Sequence, residues 1–309
     1  MSAVDPEPDK QVSNREGSPL YSGPSPLFVT IRVRSLLGML LLAFVAPVVG
    51  AGLFWPQWLE VAVAPLPDAV LGLISYGLLV VLLWNACRKA GVVYRLSPNT
   101  WPSRRQVWAY ILLGIPLTAI AILGLYILYL PLSYVFPDFV VEWVLDAPPL
   151  IWWSGDPETL IASSINAIVL VIVAPVVEEV FFRGFLLSRW RQKYGVRRAV
   201  VLSSVVFAVL HIDFIGGVVF GTVLALIYMK TNSLIGPIIA HMANNGIVLL
   251  WVLVEGIVYG DISTISLDEF RMYWWLATLG AAVGVPWLVW FCRPLLRPEP
   301  SAPQPNDRN

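Results

Sequence analysis

The sequence predicts an all-α, polytopic integral membrane protein with about eight transmembrane helices. Hydrophobic residues make up 58% of the 309 residues. Charged residues make up 13%, about half of the share found in soluble domains. The apolar residues form long runs without the alternation that is typical of membrane β-strands. These observations together predict helices that cross a bilayer.

The same composition excludes several other classes of protein. Low hydrophobicity and high charge keep a chain disordered, and neither is present here. Cys87 and Cys292 are the two cysteines, too few for a disulfide scaffold. The 20 basic and 20 acidic residues give a net charge of zero. No nucleic-acid partner is therefore expected, and the lipid bilayer is the expected environment.

Eight apolar segments are candidates for spanning helices, each of which needs about 20 mostly apolar residues. In chain order they cover residues 36–55, 69–86, 107–130, 160–187, 199–212, 214–229, 234–258 and 273–291. The fifth and sixth are short and nearly continuous. Pro175 lies inside the fourth segment, and its missing N–H is expected to widen the helix there.

The distribution of basic residues predicts the orientation. If all eight segments cross the membrane, 19 of the 20 lysines and arginines fall on one side and only Arg271 falls on the other. Basic residues are enriched in cytoplasmic loops. We therefore predict a multi-pass protein of the cell membrane with both termini in the cytoplasm.

This topology divides the chain into five regions. Residues 1–34 are expected to form a cytoplasmic tail, largely disordered because it is polar and rich in proline, and 35–158 to hold helices one to three and an acidic extracytoplasmic loop. Residues 159–258 hold helices four to seven and form the expected functional core. Residues 259–293 are a loop and the eighth helix, and 294–309 form a second disordered cytoplasmic tail.

Ionisable residues inside a bilayer are costly and usually functional. Glu179 and Arg183 in the fourth segment are four residues apart, so they share a helix face and are expected to form an ion pair. Glu178 lies about 100° around the helix, without an obvious local partner. An unpaired carboxylate in an apolar site suits a general base. The alternative is that this cluster marks a cytoplasmic helix end.

Two further clusters contain both histidines of the chain. Phe207 and His211 are four residues apart, so the ring is expected to pack on the imidazole; alternatively, His211 is a structural residue bonded to a backbone carbonyl. Asp213 is expected to cap the next helix. His241 and Asn245 share a face of the seventh segment, where the alternative is hydrogen bonding between helices.

Depth in the membrane connects the three clusters. With a helical rise of about 1.5 Å per residue, Glu178 lies roughly 15 Å deep, His211 roughly 18 Å and His241 roughly 11 Å. Antiparallel helices would therefore bring one glutamate, two histidines and one asparagine to similar depth. Such a set offers a general base and hydrogen-bond donors at one depth inside the membrane.

The three clusters read Glu-Glu-x-x-x-Arg, Phe-x-x-x-His and His-x-x-x-Asn. In order and spacing they resemble the motifs of the CPBP family, which comprises type II CAAX prenyl endopeptidases and bacteriocin-processing or immunity proteins. This family is also called the Abi family of intramembrane proteases. The resemblance covers about residues 159–258, and it implies an eight-helix intramembrane peptidase.

The resemblance also implies roles for individual residues. Glu178 would activate water and His211 would help to hold it. His241 and Asn245 would stabilise the tetrahedral oxyanion. We interpret Glu179 and Arg183 as an ion pair that orients Glu178. The implied substrate is a peptide or protein that is prenylated or membrane-anchored, as in CAAX, leader or bacteriocin processing.

The residues leave the question of a metal open. Glu178, His211 and His241 could form a three-ligand zinc site with an open fourth position. Glu178 could not then easily be both ligand and base, and the family has been described both as metalloproteases and as metal-independent glutamate proteases. We favour water held directly by Glu178 and His211.

Two other functions are open at this level. Intramembrane Glu, His and Arg also suit an ion- or proton-coupled transporter, which would be expected to show inverted repeats and broken helices. We find no repeat in the sequence. The other alternative is a non-catalytic membrane scaffold or immunity protein that keeps the fold.

Overall fold

The computed structural model describes residues 31–54, 65–91, 101–146, 149–153, 155–259 and 265–295. Most of the two predicted tails, 1–30 and 296–309, lies outside these residues. The described part of the chain is helical and contains no strand. Its α-helices are α1 (Val33–Phe54), α2 (Pro65–Lys89), α3 (Arg104–Val135), α4 (Pro137–Val140), α5 (Pro157–Ile168), α6 (Ala174–Glu179), α7 (Ser188–Tyr194), α8 (Val196–Val209), α9 (Phe214–Thr231), α10 (Ile235–Tyr259), α11 (Leu267–Met272) and α12 (Trp275–Leu295). Its π-helices are π1 (Val141–Leu145), π2 (Val169–Val173) and π3 (Val180–Leu187).

Within the described ranges, seven helices are long and apolar enough to cross a membrane. The predicted all-α polytopic fold is therefore confirmed. The fourth predicted segment is one continuous helical span, Pro157–Tyr194. The fifth forms α8, whose 14 residues reach about 21 Å. Because the hydrocarbon core is about 30 Å thick, α8 is too short to cross it alone. The described residues therefore contain seven candidate spans where the sequence predicted about eight.

The long helix α3 lies at the centre of the bundle and packs against α9, α10 and α12. Its first turn is fixed by a capping box in which Ser103 and Gln106 bond to each other's backbone. Gly114 lets α10 come close, because a Cβ at this position would lie 3.1 Å from the backbone of Ala243. Small residues at helix contacts are a common basis of packing in membranes.

The turn between α8 and α9 carries His211, whose side chain is partly exposed. Asp213 caps α9 as predicted, since its Oδ1 accepts a hydrogen bond of 2.9 Å from the N–H of Gly216. The hydroxyl of Tyr129 on α3 donates to the carbonyl of Ile212 at 2.9 Å. Both bonds hold a turn whose exposed backbone groups would otherwise need partners.

The fourth span alternates between α- and π-helix. In π2 the N–H of Ala174 bonds to the carbonyl of Val169, five residues earlier. In that register the next carbonyl, of Leu170, faces the nitrogen of Pro175, which carries no hydrogen. The widening predicted at Pro175 is therefore confirmed. Such π segments are frequent at functional sites.

Candidate active site

Glu178, at the end of α6, has one anchored carboxylate oxygen and one that faces the two imidazoles. Its Oε1 accepts a hydrogen bond of 2.5 Å from the hydroxyl of Tyr76 on α2. Its Oε2 lies 4.0 Å from Nε2 of His211 and 4.0 Å from Nε2 of His241. This second oxygen is buried and has no hydrogen-bond partner among the described residues. Of the four residues predicted to lie at similar depth, Glu178, His211 and His241 therefore do meet.

His211 presents an unprotonated Nε2 to Glu178 when its ring is neutral. Its Nδ1 lies 2.8 Å from the carbonyl oxygen of Phe207. Because a carbonyl only accepts, Nδ1 carries the hydrogen and Nε2 is then an acceptor. The predicted stacking is also present, with the ring centroids of Phe207 and His211 4.3 Å apart. The side chain is 38% exposed, so a molecule in the adjoining cavity reaches it.

Glu179 is fully buried and serves two partners with one oxygen. Its Oε1 accepts a hydrogen bond of 2.8 Å from Arg183, which confirms the predicted ion pair. The same oxygen lies 2.9 Å from Nδ1 of His241. The sequence interpretation was that this pair orients Glu178, whereas the contact that the structure shows is with His241. A carboxylate on Nδ1 fixes the tautomer and the orientation of an imidazole.

Arg183 connects the fourth span to α8 and α9. Its Nη2 donates to the carbonyl of Gly221 at 3.2 Å, and its guanidinium lies 4.7 Å from the centroid of the Phe207 ring. A Cβ at Gly221 would lie 3.0 Å from Ser204, so this glycine allows the close packing of α9 on α8. The buried cation is thus compensated by a carboxylate, a carbonyl and an aromatic face.

Asn245 is held by a chain of hydrogen bonds across three helices. Thr118 donates to Asn244 at 3.1 Å, and Asn244 donates to Oδ1 of Asn245 at 3.2 Å. Nδ2 of Asn245 then donates to the carbonyl of Leu170 at 2.9 Å. This is the carbonyl to which Pro175 cannot donate, because proline has no N–H. Among the described hydrogen bonds, none joins Asn245 to Glu178 or to an imidazole. Asn245 therefore makes a hydrogen bond between helices, which the sequence analysis considered as its alternative role.

Two cavities meet at His211. The first, which we call the apolar cavity, has a volume of about 750 Å³ and lies between α1, α2 and π3, with Tyr76, Glu178 and His211 as its polar residues. The second, which we call the polar cavity, is smaller, with about 140 Å³. It is lined by both histidines together with Asp213, Asn244 and Asn245. One cavity therefore suits an apolar chain and the other suits water.

The positions of Glu178, His211 and His241 do not fit zinc. Zinc binds nitrogen and oxygen at about 2.0–2.2 Å, so two ligands of a tetrahedral site lie about 3.3–3.5 Å apart. Both separations from Glu178 Oε2 are 4.0 Å. Across the part of the chain that the structure describes, no group of three His, Cys, Asp or Glu side chains is spaced for a metal ion. We therefore assign no chemical step to a metal.

Tyr76 and Thr118 were missed by the sequence interpretation because they lie outside the three motifs. The available signal was a tyrosine in the middle of the second apolar segment, far from the membrane surfaces where tyrosine is enriched. The position of Tyr76 in the sequence of α2 does not indicate which neighbouring helix its hydroxyl faces. Its partner Glu178 is 102 residues away in the chain.

Residues 161–247 match the family model described as type II CAAX prenyl endopeptidase Rce1-like. This segment holds all three motifs and every site residue described above except Tyr76 and Thr118. The part of the chain around the site is thus similar to Rce1-like endopeptidases, and the resemblance seen in the motifs is confirmed there.

One relative is the Bacillus subtilis (strain 168) protein named "Putative membrane peptidase YdiL". It is 31% identical over 86 residues, which are 27% of this chain and 35% of that protein. The matched segment therefore spans about a third of the curated relative's length. No solved structure matches this chain.

Proposed function

We propose that this chain is an intramembrane endopeptidase in which Glu178 activates water to hydrolyse a peptide bond of a membrane-associated or lipidated protein. One observation carries the proposal. Oε2 of Glu178 lies 4.0 Å from Nε2 of each histidine, and Glu178 lines a large apolar cavity. The Rce1-like match and the name of the bacterial relative support a peptidase.

The spacing of Glu178 and His211 suits a bridging water. A water oxygen about 2.8 Å from both Oε2 and Nε2 would span the gap at an angle of about 90°. Both atoms are acceptors when the ring is neutral, so the water would donate one hydrogen to each. Its lone pairs would then be available to a carbonyl carbon.

In the proposed reaction, the water oxygen bonds to the carbonyl carbon while its proton passes to Oε2 of Glu178. The carbonyl oxygen takes the negative charge. His241, protonated on Nε2 and held by Glu179, and the amide of Asn245 stabilise this oxyanion. Glu178 then gives the proton to the leaving nitrogen and the carbon–nitrogen bond breaks, yielding a carboxyl group and an amine.

The apolar cavity suits an extended apolar segment of the substrate. Its wall includes residues of α1 that are open to the surroundings, with Leu41 66% and Val45 46% exposed. A substrate would enter sideways from the lipid. We further propose that both termini are cytoplasmic, which places the site in the cytoplasmic half of the bilayer and favours CAAX-type or leader processing.

The test uses purified protein in liposomes and a library of apolar peptides, half of them ending in a prenylated cysteine. Mass spectrometry of new termini measures cleavage. We expect products from the wild type and from Glu142→Gln, a control in which the carboxylate is exposed. Glu178→Gln and His211→Asn should give none. Equal products from Glu178→Gln would overturn the proposal, and comparing the two halves of the library reveals whether prenylation matters.

A further inference from the structure

The hydroxyl of Tyr76 donates to Oε1 of Glu178 at 2.5 Å. This distance is typical of a short bond from O–H to an ionised carboxylate. We propose that Tyr76 is a positioning residue, whose hydroxyl turns the Glu178 carboxylate so that Oε2 faces both imidazoles. The inference rests on the proposed role of Glu178 and extends the site to α2, outside the matched segment 161–247.

Among the described residues, Tyr76 is the side chain that hydrogen-bonds to the Glu178 carboxylate. The other groups facing this carboxylate are His211 after α8 and His241 from α10. Nε2 of each imidazole lies 4.0 Å from Oε2, which is too far for a hydrogen bond. Tyr76 therefore supplies the hydrogen bond that selects the carboxylate orientation.

The Tyr76 ring is itself held in place. It meets the ring of Phe44 on α1 edge to face, with centroids 5.3 Å apart and planes at 85°. Edge-to-face contacts of this kind stabilise a ring orientation. Both rings line the apolar cavity. The hydroxyl therefore approaches Glu178 from a wall of the cavity.

Tyr76→Phe separates the hydroxyl from the ring, because it keeps the contact with Phe44 and the shape of the cavity. We expect kcat to fall about ten- to a hundredfold, the usual range for a lost hydrogen bond to a charged group. KM should stay within about twofold.

Tyr126→Phe is the matched control, because Tyr126 is a buried tyrosine of α3 stacked on Phe270 at 4.7 Å, away from the site. It should leave both kcat and KM unchanged. A purely structural role for the Tyr76 ring predicts that Tyr76→Phe has the kcat and KM of the wild type. That result would overturn the proposal.

A second measurement does not depend on catalysis. We expect Tyr76→Phe to lower the melting temperature of the wild type and to have no effect in a Glu178→Ala background, where the partner is missing. Equal lowering in both backgrounds would contradict the contact. If no variant, including the wild type, cleaves any peptide, the proposed function fails while this cycle still decides the Tyr76–Glu178 contact.

Discussion

Nδ1 of His241 lies 2.9 Å from Oε1 of Glu179, the same oxygen that accepts a hydrogen bond from Arg183 at 2.8 Å. Two neighbouring glutamates therefore have different surroundings. Glu178 lines a cavity, whereas Glu179 is fully buried between two nitrogen donors. In each carboxylate, Oε2 is buried and has no hydrogen-bond partner among the described residues. Glu179 thus holds the imidazole of His241 in place, and the opposite nitrogen of this ring faces Glu178.

Because one oxygen of Glu179 binds both Arg183 and His241, we predict that a second substitution at Arg183 restores the stability of a Glu179 variant but not its activity. Glu179→Leu should cost about 3–5 kcal/mol of unfolding free energy, because it leaves Arg183 as a buried, uncompensated cation. Adding Arg183→Met should recover most of that stability, since no charge then remains. Peptide cleavage should stay low, because His241 still lacks its carboxylate. Chemical denaturation and cleavage assays measure both effects, and full recovery of cleavage in the double variant would contradict the role of Glu179.

The bond from Asn245 to Leu170 predicts coupling with Pro175. Asn245→Leu should cost about 1–3 kcal/mol, because the Leu170 carbonyl loses its donor in an apolar environment. In a Pro175→Ala background the cost should shrink, since Ala at that position brings a backbone N–H within reach of the carbonyl. A double-mutant cycle on unfolding free energy tests this. Additive costs would show that Asn245 does not replace the missing proline N–H.

The separations of 4.0 Å around Glu178 predict hydrolysis without zinc. Protein dialysed against a chelator should keep its full cleavage rate, and elemental analysis should find no stoichiometric metal. Loss of cleavage that added zinc restores would instead establish the zinc site considered from the sequence.

The asymmetry of basic residues predicts the orientation of the chain. A cysteine placed at Ser301 should react with a membrane-impermeant thiol reagent only from the cytoplasmic side, and one placed at Glu142 only from the opposite side. The background should have Cys87 and Cys292 replaced by serine, so that only the new thiol reacts. Labelling of both positions from one side would contradict the predicted topology.

The sequence by itself determined the membrane class and the local pairs. Long apolar runs establish spanning helices because unsatisfied backbone groups are too costly in lipid. Helical spacing alone placed Arg183 beside Glu179 and Phe207 against His211, and the capping preference of Asp213 marked the break before α9. Each of these local pairs and the cap depends on residues within about one turn of helix.

Only the tertiary structure decided which helix faces reach the site. The bonds from Tyr76 to Glu178 and from Glu179 to His241 join residues 102 and 62 positions apart. Membrane helices are apolar on nearly every side, so the hydrophobic pattern does not fix their rotation about their axes. The change from α- to π-helix after Glu179 alters that rotation further. The partners of the two glutamates therefore follow from how the helices pack.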